Sequence, residues 1–231
     1  MFKSRSVRSF RFYLWTVFFC VIFSFVIIGC GNNSNPGSPG NDTPGNDTPG
    51  SHLNYGGQMY RTVEIGGKTW MAQNLNYQPP AGNSWCYANA DSNCTKYGRL
   101  YDWNTAMSAC PAGWKLPNNA DWDNLMAAVG GAATAGTKLK SKTGWNTGGS
   151  YIAGTDEYGF SALPGGYRWN DGSFDHVGNY GFWWSATEFT TEFDVSNANA
   201  YVRSMGYLME NVHTLWLGNK DRGYSVRCLM N

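Results

Sequence analysis

The first 54 residues divide into an apolar leader and a stretch rich in Pro and Gly, and this division restricts the folded domain to residues 55–231. Four of the 17 basic residues and none of the 16 acidic ones lie in 1–29, where a basic start precedes an apolar run over 12–28. Residues 31–54 have almost no apolar side chains, so they cannot bury enough surface to fold. We therefore predict a signal peptide over 1–29, a tether over 30–54 and a single domain after it.

The leader ends in Ile27, Ile28, Gly29 and Cys30, which resembles the lipobox of bacterial lipoproteins. The resemblance implies that Cys30 carries a diacylglycerol and that acyl chains, palmitate among them, insert into the lipid bilayer. Gly31 rather than Asp follows this Cys, which favours the outer membrane of the bacterial cell envelope, facing either the periplasm or the outside. An uncleaved membrane anchor is the alternative, because an apolar run of 17 residues is near the lower limit for a spanning helix.

The composition argues against a nucleic-acid partner. The chain after the leader has a net charge of −3, whereas a protein that binds nucleic acid needs a basic face. Charged residues make up only 14% of the chain, so Gly, Asn, Ser and Thr provide most of the solubility. All but one of the 11 Trp residues follow the leader, which is enough aromatic volume for one large core and part of a surface.

Four cysteines remain in the domain, and an even number in an exported chain indicates disulfides. They allow three pairings. We favour Cys86 with Cys94, which closes a short loop, and Cys110 with Cys228, which joins the middle of the domain to its end. A metal site is the alternative, but the spacings do not match Cys-x-x-Cys and no His is near. We predict no metal site and no cofactor.

The pattern of apolar residues predicts an α+β domain, with helices early and an irregular antiparallel sheet late. Residues 62–65 and 68–71 are β-type runs around a Gly-Gly turn, which indicates a hairpin. Helices are predicted over 102–109, with Asp102 as N-cap, and over 118–130, with Asn118 or Asn119 as N-cap and the apolar side chains on one face. Further strands are predicted at 160–163, 182–187, 200–203, 214–217 and 224–229.

The chain contains six distinctive motifs: 70–75 (WMAQNL), 97–103 (YGRLYDW), 110–117 (CPAGWKLP), 160–168 (FSALPGGYR), 183–187 (WWSAT) and 224–228 (YSVRC). Together they resemble the Fibrobacter succinogenes major paralogous domain, a family of exported bacterial proteins that are often lipoproteins. The resemblance covers essentially all of the predicted domain. It implies no enzymatic activity, because the family brings none with it.

A more distant resemblance is to the C-type-lectin-like fold, in its formylglycine-generating-enzyme branch. Residues 116–122 (LPNNADW) are similar to a helix start of that branch, and 223–227 (GYSVR) to its terminal strand. The resemblance implies that a Cys110–Cys228 bridge corresponds to the long disulfide that closes lectin-like domains. Enzymes of this branch hold copper with a pair of thiols, so four thiols in two disulfides argue against that activity.

The segment 165–179 (GGYRWNDGSFDHVGN) is the best candidate for a ligand surface. We predict an irregular loop here, in which aromatic rings beside amide, carboxylate and guanidinium groups suit a sugar ring or a peptide. The candidate ligand contacts are Tyr167, Arg168, Trp169, Asn170, Asp171 and Asp175. The alternative is that the rings only pack the loop onto the domain. Residues 169–171 also look like a lectin calcium motif, but no Cys follows closely, so we interpret them as loop residues and leave ion binding open.

These observations predict a membrane-anchored envelope lipoprotein with a non-catalytic module, which binds a glycan or a protein or builds surface structure. An enzyme of the formylglycine-generating type or a glycan hydrolase is one alternative, and a scaffold subunit of an envelope complex is another. The histidines His52, His176 and His213 do not lie in a nucleophile motif, so they give the enzyme no support.

Overall fold

The computed structural model describes residues 52–191 and 198–231. The predicted signal peptide, Cys30 and the tether up to residue 51 lie outside the described residues. The helices are α1 (Asp91–Tyr97), α2 (Trp103–Ala106), α3 (Asn119–Ala128) and α4 (Ala132–Leu139), and a 3-10 turn (Tyr87–Asn89) precedes α1. The strands are β1 (His52–Tyr55), β2 (Gln58–Ile65), β3 (Lys68–Met71), β4 (Ser84–Trp85), β5 (Leu100–Tyr101), β6 (Trp114–Lys115), β7 (Gly165–Arg168), β8 (Phe174–Val177), β9 (Tyr180–Glu188), β10 (Asn199–Gly206), β11 (His213–Asn219), β12 (Tyr224–Ser225) and β13 (Leu229–Met230).

The strands form two sheets. The first has the order β1-β2-β3-β13-β6, and all of its pairs are antiparallel. The second has the order β11-β10-β9-β12-β5-β4, and the hairpin β7-β8 joins it through β9. The pairs β9–β12 and β7–β9 are parallel, so this sheet is mixed. Within the described residues, the architecture is α+β, and most of the elements are strands.

Local signals in the sequence give the hairpin and the helix starts. β2 and β3 pair with Ile65 opposite Lys68, around Gly66 and Gly67 at φ values of +62° and +72°. Two residues with positive φ between antiparallel strands are typical of a tight hairpin turn, which glycine adopts without strain. The predicted hairpin over 62–71 is confirmed.

Both predicted helix caps are confirmed. The carboxylate of Asp102 accepts a hydrogen bond from the Thr105 backbone N–H at 2.8 Å, although α2 ends at Ala106 rather than at 109. At the start of α3, the Asn118 side chain accepts from the Asp121 N–H at 2.9 Å and the Asp121 carboxylate accepts from the Asn118 N–H at 3.0 Å. This reciprocal pair satisfies two backbone donors that a helix start otherwise leaves free.

Three predictions for the later part of the chain are wrong. Residues 160–163 form no strand but only an isolated bridge between Ala162 and Lys140. Residues 224–229 form two strands, β12 and β13, which belong to different sheets. The segment 165–179 is the hairpin β7-β8 rather than an irregular loop. The sequence does not show the alternation of apolar and polar side chains that marks a strand, because positions 165 and 166 are glycines. The strand packs closely against its neighbours at these positions.

The core has two clusters, and β9 lies between them. Trp183 belongs to a cluster with α3 and α4, in which the rings of Trp70 and Trp122 are 5.2 Å apart. Trp184 belongs to a cluster with Tyr224, whose ring is 4.6 Å away. Successive side chains of a strand point to opposite faces, so one Trp-Trp pair serves both clusters.

Two disulfides close the domain. Cys86 is bonded to Cys94, and Cys110 is bonded to Cys228, which is the pairing that the sequence analysis favours. The second bridge spans 118 residues. Closing a loop of about that length stabilises a fold by roughly 4.7 kcal/mol in the chain-entropy estimate.

Candidate functional site

The predicted ligand segment divides into a buried strand and an exposed turn. Tyr167 is only 6% exposed, and its ring packs on Phe182 at 5.2 Å and on Tyr224 at 5.6 Å. Burial raises the pKa of Tyr167 to about 12. The Tyr167 ring therefore belongs to the core, where a ligand cannot reach it. For this residue, the alternative that the rings only pack the segment onto the domain is correct.

The two residues after Tyr167 each belong to a pair of a Trp ring and an Arg guanidinium. Arg168 and Gly223 exchange backbone hydrogen bonds of 2.9 Å, which places Trp169 beside Arg222 on the neighbouring segment. The guanidinium of Arg222 lies 4.2 Å from the centre of the Trp169 ring, and that of Arg168 lies 4.1 Å from the centre of Trp85. Such cation–π pairs hold a guanidinium plane in a fixed orientation.

Asn170 and Asp171 are exposed at the turn between β7 and β8. The Asp171 carboxylate accepts hydrogen bonds from the Ser173 N–H at 2.9 Å and from the Ser173 hydroxyl at 2.7 Å. These two bonds lower the pKa of Asp171, so the group is ionised at neutral pH. Asp175 is exposed on β8, where its carboxylate accepts from the His176 N–H at 2.7 Å.

The turn 219–223, between β11 and β12, is the part of this surface that the sequence reasoning missed. Lys220 lies 4.4 Å from the centre of the Trp103 ring and forms an ion pair with Glu188. We call the following six residues the tryptophan–cation site: Trp85, Trp103, Trp169, Arg168, Lys220 and Arg222. Their sequence positions are up to 137 apart, so no local pattern links them; the charged sequence NKDRG before the 224–228 motif is the one local signal.

The turn needs glycine at its end. A Cβ atom added at Gly223 would lie 3.1 Å from the Cβ of Arg168 and 3.1 Å from the Trp85 ring. The close approach of this backbone to both side chains is therefore part of what positions the Arg168–Trp85 pair.

Arg222 differs from the other cations in having no acceptor. Its guanidinium makes no hydrogen bond and no ion pair within residues 52–191 and 198–231, and its Nε is buried without a partner. The Nε of Arg168 is also buried without a partner, but its Nη1 donates to the Trp169 carbonyl at 3.0 Å, and Lys220 is paired with Glu188. A buried Nε cannot reach an acceptor outside the chain, so the Nη groups are the donors of Arg222 that remain available to one.

A small cavity of about 90 Å³ lies elsewhere, between α1 and β2. Amide and hydroxyl side chains line it, among them Gln58, Gln73, Asn74, Asn76 and Thr95. Its volume is far below the roughly 300–1,000 Å³ of ordinary small-molecule sites.

The described part of the chain has no group of three or more His, Cys, Asp or Glu side chains placed to hold a metal ion. All four cysteines of the domain are in disulfides, so they offer no thiol pair. Among the helices that the structure describes, none has the length and apolar character needed to cross a membrane.

Fold and site together define a strand-rich α+β domain that is closed by two disulfides and presents stacked Trp and Arg side chains. The sequence profile of the Fibrobacter succinogenes major domain matches residues 63–230. The chain belongs to this family. Comparison with curated proteins and with solved structures finds no match.

Proposed function

We propose that the chain is a membrane-anchored envelope lipoprotein whose domain is a non-catalytic module that binds a glycan or a protein through the tryptophan–cation site. The observation that carries this proposal is Arg222, which is stacked on Trp169 and has no acceptor in the described part of the chain. Aromatic rings with arginine are the side chains that dominate recognition surfaces. The exposed groups of Asn170 and Asp171 beside them supply polar contacts.

An enzyme of the formylglycine-generating type has less support, because the cysteines available for a copper-binding thiol pair are bonded to each other. A glycan hydrolase needs two carboxyl groups on either side of the scissile bond. Near the tryptophan–cation site, the hydrogen bonds from Ser173 lower the pKa of Asp171, which disfavours a role as general acid, and Glu188 is paired with Lys220. These pairings favour binding over catalysis.

A binding screen with an exposed variant tests the proposal. The full-length protein in mild detergent is applied to immobilised glycans and peptides. The affinity for each glycan or peptide that binds is then measured with the wild type and with Asn170→Ala. The Asn170 side chain is exposed and makes no hydrogen bond in the described residues, so this variant keeps the fold and loses at least severalfold in affinity. The matched control Asn124→Ala changes an exposed asparagine on α3 and leaves affinity unchanged. Equal binding by wild type and Asn170→Ala would place recognition elsewhere.

The lipid anchor is a separate part of the proposal. It rests on the sequence around Cys30, which lies outside the described residues. Mass spectrometry of the membrane fraction is expected to find a diacylglyceryl-modified Cys30 as the new N-terminus. A Cys30→Ala variant that remains in the membrane with the same processed N-terminus would contradict lipidation.

We also propose the C-type-lectin-like form of this α+β fold. Its support is the long Cys110–Cys228 bridge beside the terminal strand β13, together with the capped helix that begins after 116–117. An experimental structure whose strand order differs from that of lectin-like domains would refute it.

A further inference from the structure

The chemistry of the tryptophan–cation site narrows the class of its ligand. We infer that the ligand is a polysaccharide with carboxylate groups on its sugar rings, such as a uronate polymer, and that Arg222 binds one of these carboxylates. This inference rests on the proposed binding function and on the proposed site. It commits to a sugar acid over a neutral sugar and over an acidic peptide.

Arg222 is prepared for a planar anion. Its guanidinium carbon lies 4.2 Å from the centre of the Trp169 ring, and because its Nε is buried, an outside anion can reach only the edge formed by its two Nη groups. A carboxylate matches this edge with two parallel hydrogen bonds. Since the stack already restricts the side chain, less conformational entropy is lost when the anion binds.

The neighbouring cations already have partners within the chain. Lys220 is paired with Glu188, and its ammonium is stacked on Trp103. Arg168 donates to the Trp169 carbonyl and is stacked on Trp85. Arg222 is therefore the cation of this site to which we assign the carboxylate.

Two exposed acidic side chains of the protein favour a ligand that has hydroxyl groups around its carboxylate. Asp171, in the β7-β8 turn, and Asp221, next to Arg222, are both exposed. Ionised carboxylates accept hydrogen bonds from sugar hydroxyls and repel further anions. A sugar ring that carries one carboxylate among several hydroxyls satisfies both requirements, whereas an acidic peptide satisfies only the first contact with Arg222.

Binding of matched oligomers to the full-length protein in mild detergent tests the inference by calorimetry. The probes are hexagalacturonate, its methyl ester, cellohexaose and hexaglutamate. Hexagalacturonate is expected to bind, and methyl esterification is expected to weaken it by about tenfold or more, because a charge-assisted pair is lost. Arg222→Gln is expected to cause the same loss, Arg222→Lys a smaller one, and the exposed Arg61→Gln, on the first sheet, none.

The outcomes separate this inference from the proposed function. If the ester and cellohexaose bind as well as hexagalacturonate, and Asn170→Ala weakens all three, the binding function stands and the carboxylate inference fails. Preference for hexaglutamate would overturn the choice of a glycan. If none of the four probes binds, the inference is wrong, whatever the wider screen retains. Thermal melts of both Arg222 variants check that the Trp169 packing survives.

Discussion

At the scale of single residues, Asn74 organises the centre of the molecule. Its side-chain oxygen accepts from Trp183 at 2.8 Å and from the Nε and Nη2 of Arg227 at 3.1 and 2.8 Å, while its amide nitrogen donates to the Tyr97 carbonyl at 2.8 Å. Arg227 is fully buried, and burial lowers its pKa to about 9. Carbonyls of Met71, Phe160 and Ser161 complete its contacts.

Replacing Asn74 with Ala is expected to cost about 3–5 kcal/mol in the free energy of unfolding, because it leaves a buried cation and an indole N–H without their shared acceptor. Urea unfolding followed by circular dichroism measures this. Asn76→Ala is the control, since its backbone N–H still donates to the Tyr60 hydroxyl and the expected change is within about 0.5 kcal/mol. Similar losses in both variants would contradict a special role for Asn74.

The sequence predicts single-residue roles only where the partners are close along the chain. The caps Asp102 and Asn118 each bind a backbone N–H three residues ahead, and both were predictable. Asn74 and Arg227 both lie in recognisable family motifs, but they are 153 positions apart. Their contact, like that between Trp169 and Arg222, follows from how the strands pair, which no local pattern encodes.

At the scale of elements, the hairpin β7-β8 has an unusual backbone that its sequence does not reveal. Gly166 and His176 have φ values of +63° and +66°, between the pairs Gly165–Val177 and Tyr167–Asp175. The register is the same on both sides of these two residues, so they face each other without a bulge. Strand prediction depends on alternating buried and exposed residues, and three successive residues of β7 are buried. The segment therefore looks like a loop in the sequence although Gly165, Gly166 and Tyr167 are buried.

Comparing Gly166→Ala with Gly57→Ala isolates the packing of this hairpin. Both glycines have positive φ, so both substitutions share the backbone strain. A Cβ at Gly166 would lie 2.4 Å from the Asp175 carbonyl oxygen, whereas nothing lies within 4 Å of one at Gly57. Gly166→Ala is expected to cost about 2 kcal/mol more, which is roughly 4–8 °C in melting temperature. Equal melting temperatures would show that the hairpin adapts without cost.

At the scale of the whole molecule, buried tyrosines make the fold sensitive to alkali. Burial raises the pKa of Tyr55 and of Tyr167 to about 12, and that of Tyr101 well above its usual range. In the unfolded chain these groups ionise near pH 10, so between about pH 10 and 12 the unfolded chain binds fewer protons than the native one. The stabilisation is complete below pH 10 and is lost as the pH rises through this range.

A titration that follows tyrosinate absorbance and circular dichroism together checks this prediction. The late fraction of the tyrosine absorbance change is expected to coincide with loss of the native spectrum above pH 10. Tyr167→Phe, which keeps the ring and removes the ionisable hydroxyl, is expected to shift that transition to higher pH. Ionisation of every tyrosine near pH 10 in a protein that stays folded would contradict it.

The overall arrangement could be predicted only in part. The α+β class follows from the early helices and late strands, and the family match at 63–230 falls inside the predicted domain. The division into two sheets could not be foreseen, because Ser225 and Leu229 are four positions apart and belong to different sheets. Residues 226–228 cross between the sheets through the core, and the alternation of apolar and polar residues over 224–228 looks the same as a continuous strand.

The position of β13 has a consequence for how the chain is made. Its two residues, Leu229 and Met230, lie between β3 and β6 in the first sheet, so β6 is joined to that sheet only by the last of the described strands. A polypeptide that emerges residue by residue from a ribosome cannot complete this sheet until residues 229–230 have emerged. The bond between Cys110 and Cys228 likewise cannot form until residue 228 has emerged. Both long-range links between the first 115 residues and residues 228–230 are therefore late events in the synthesis of this domain.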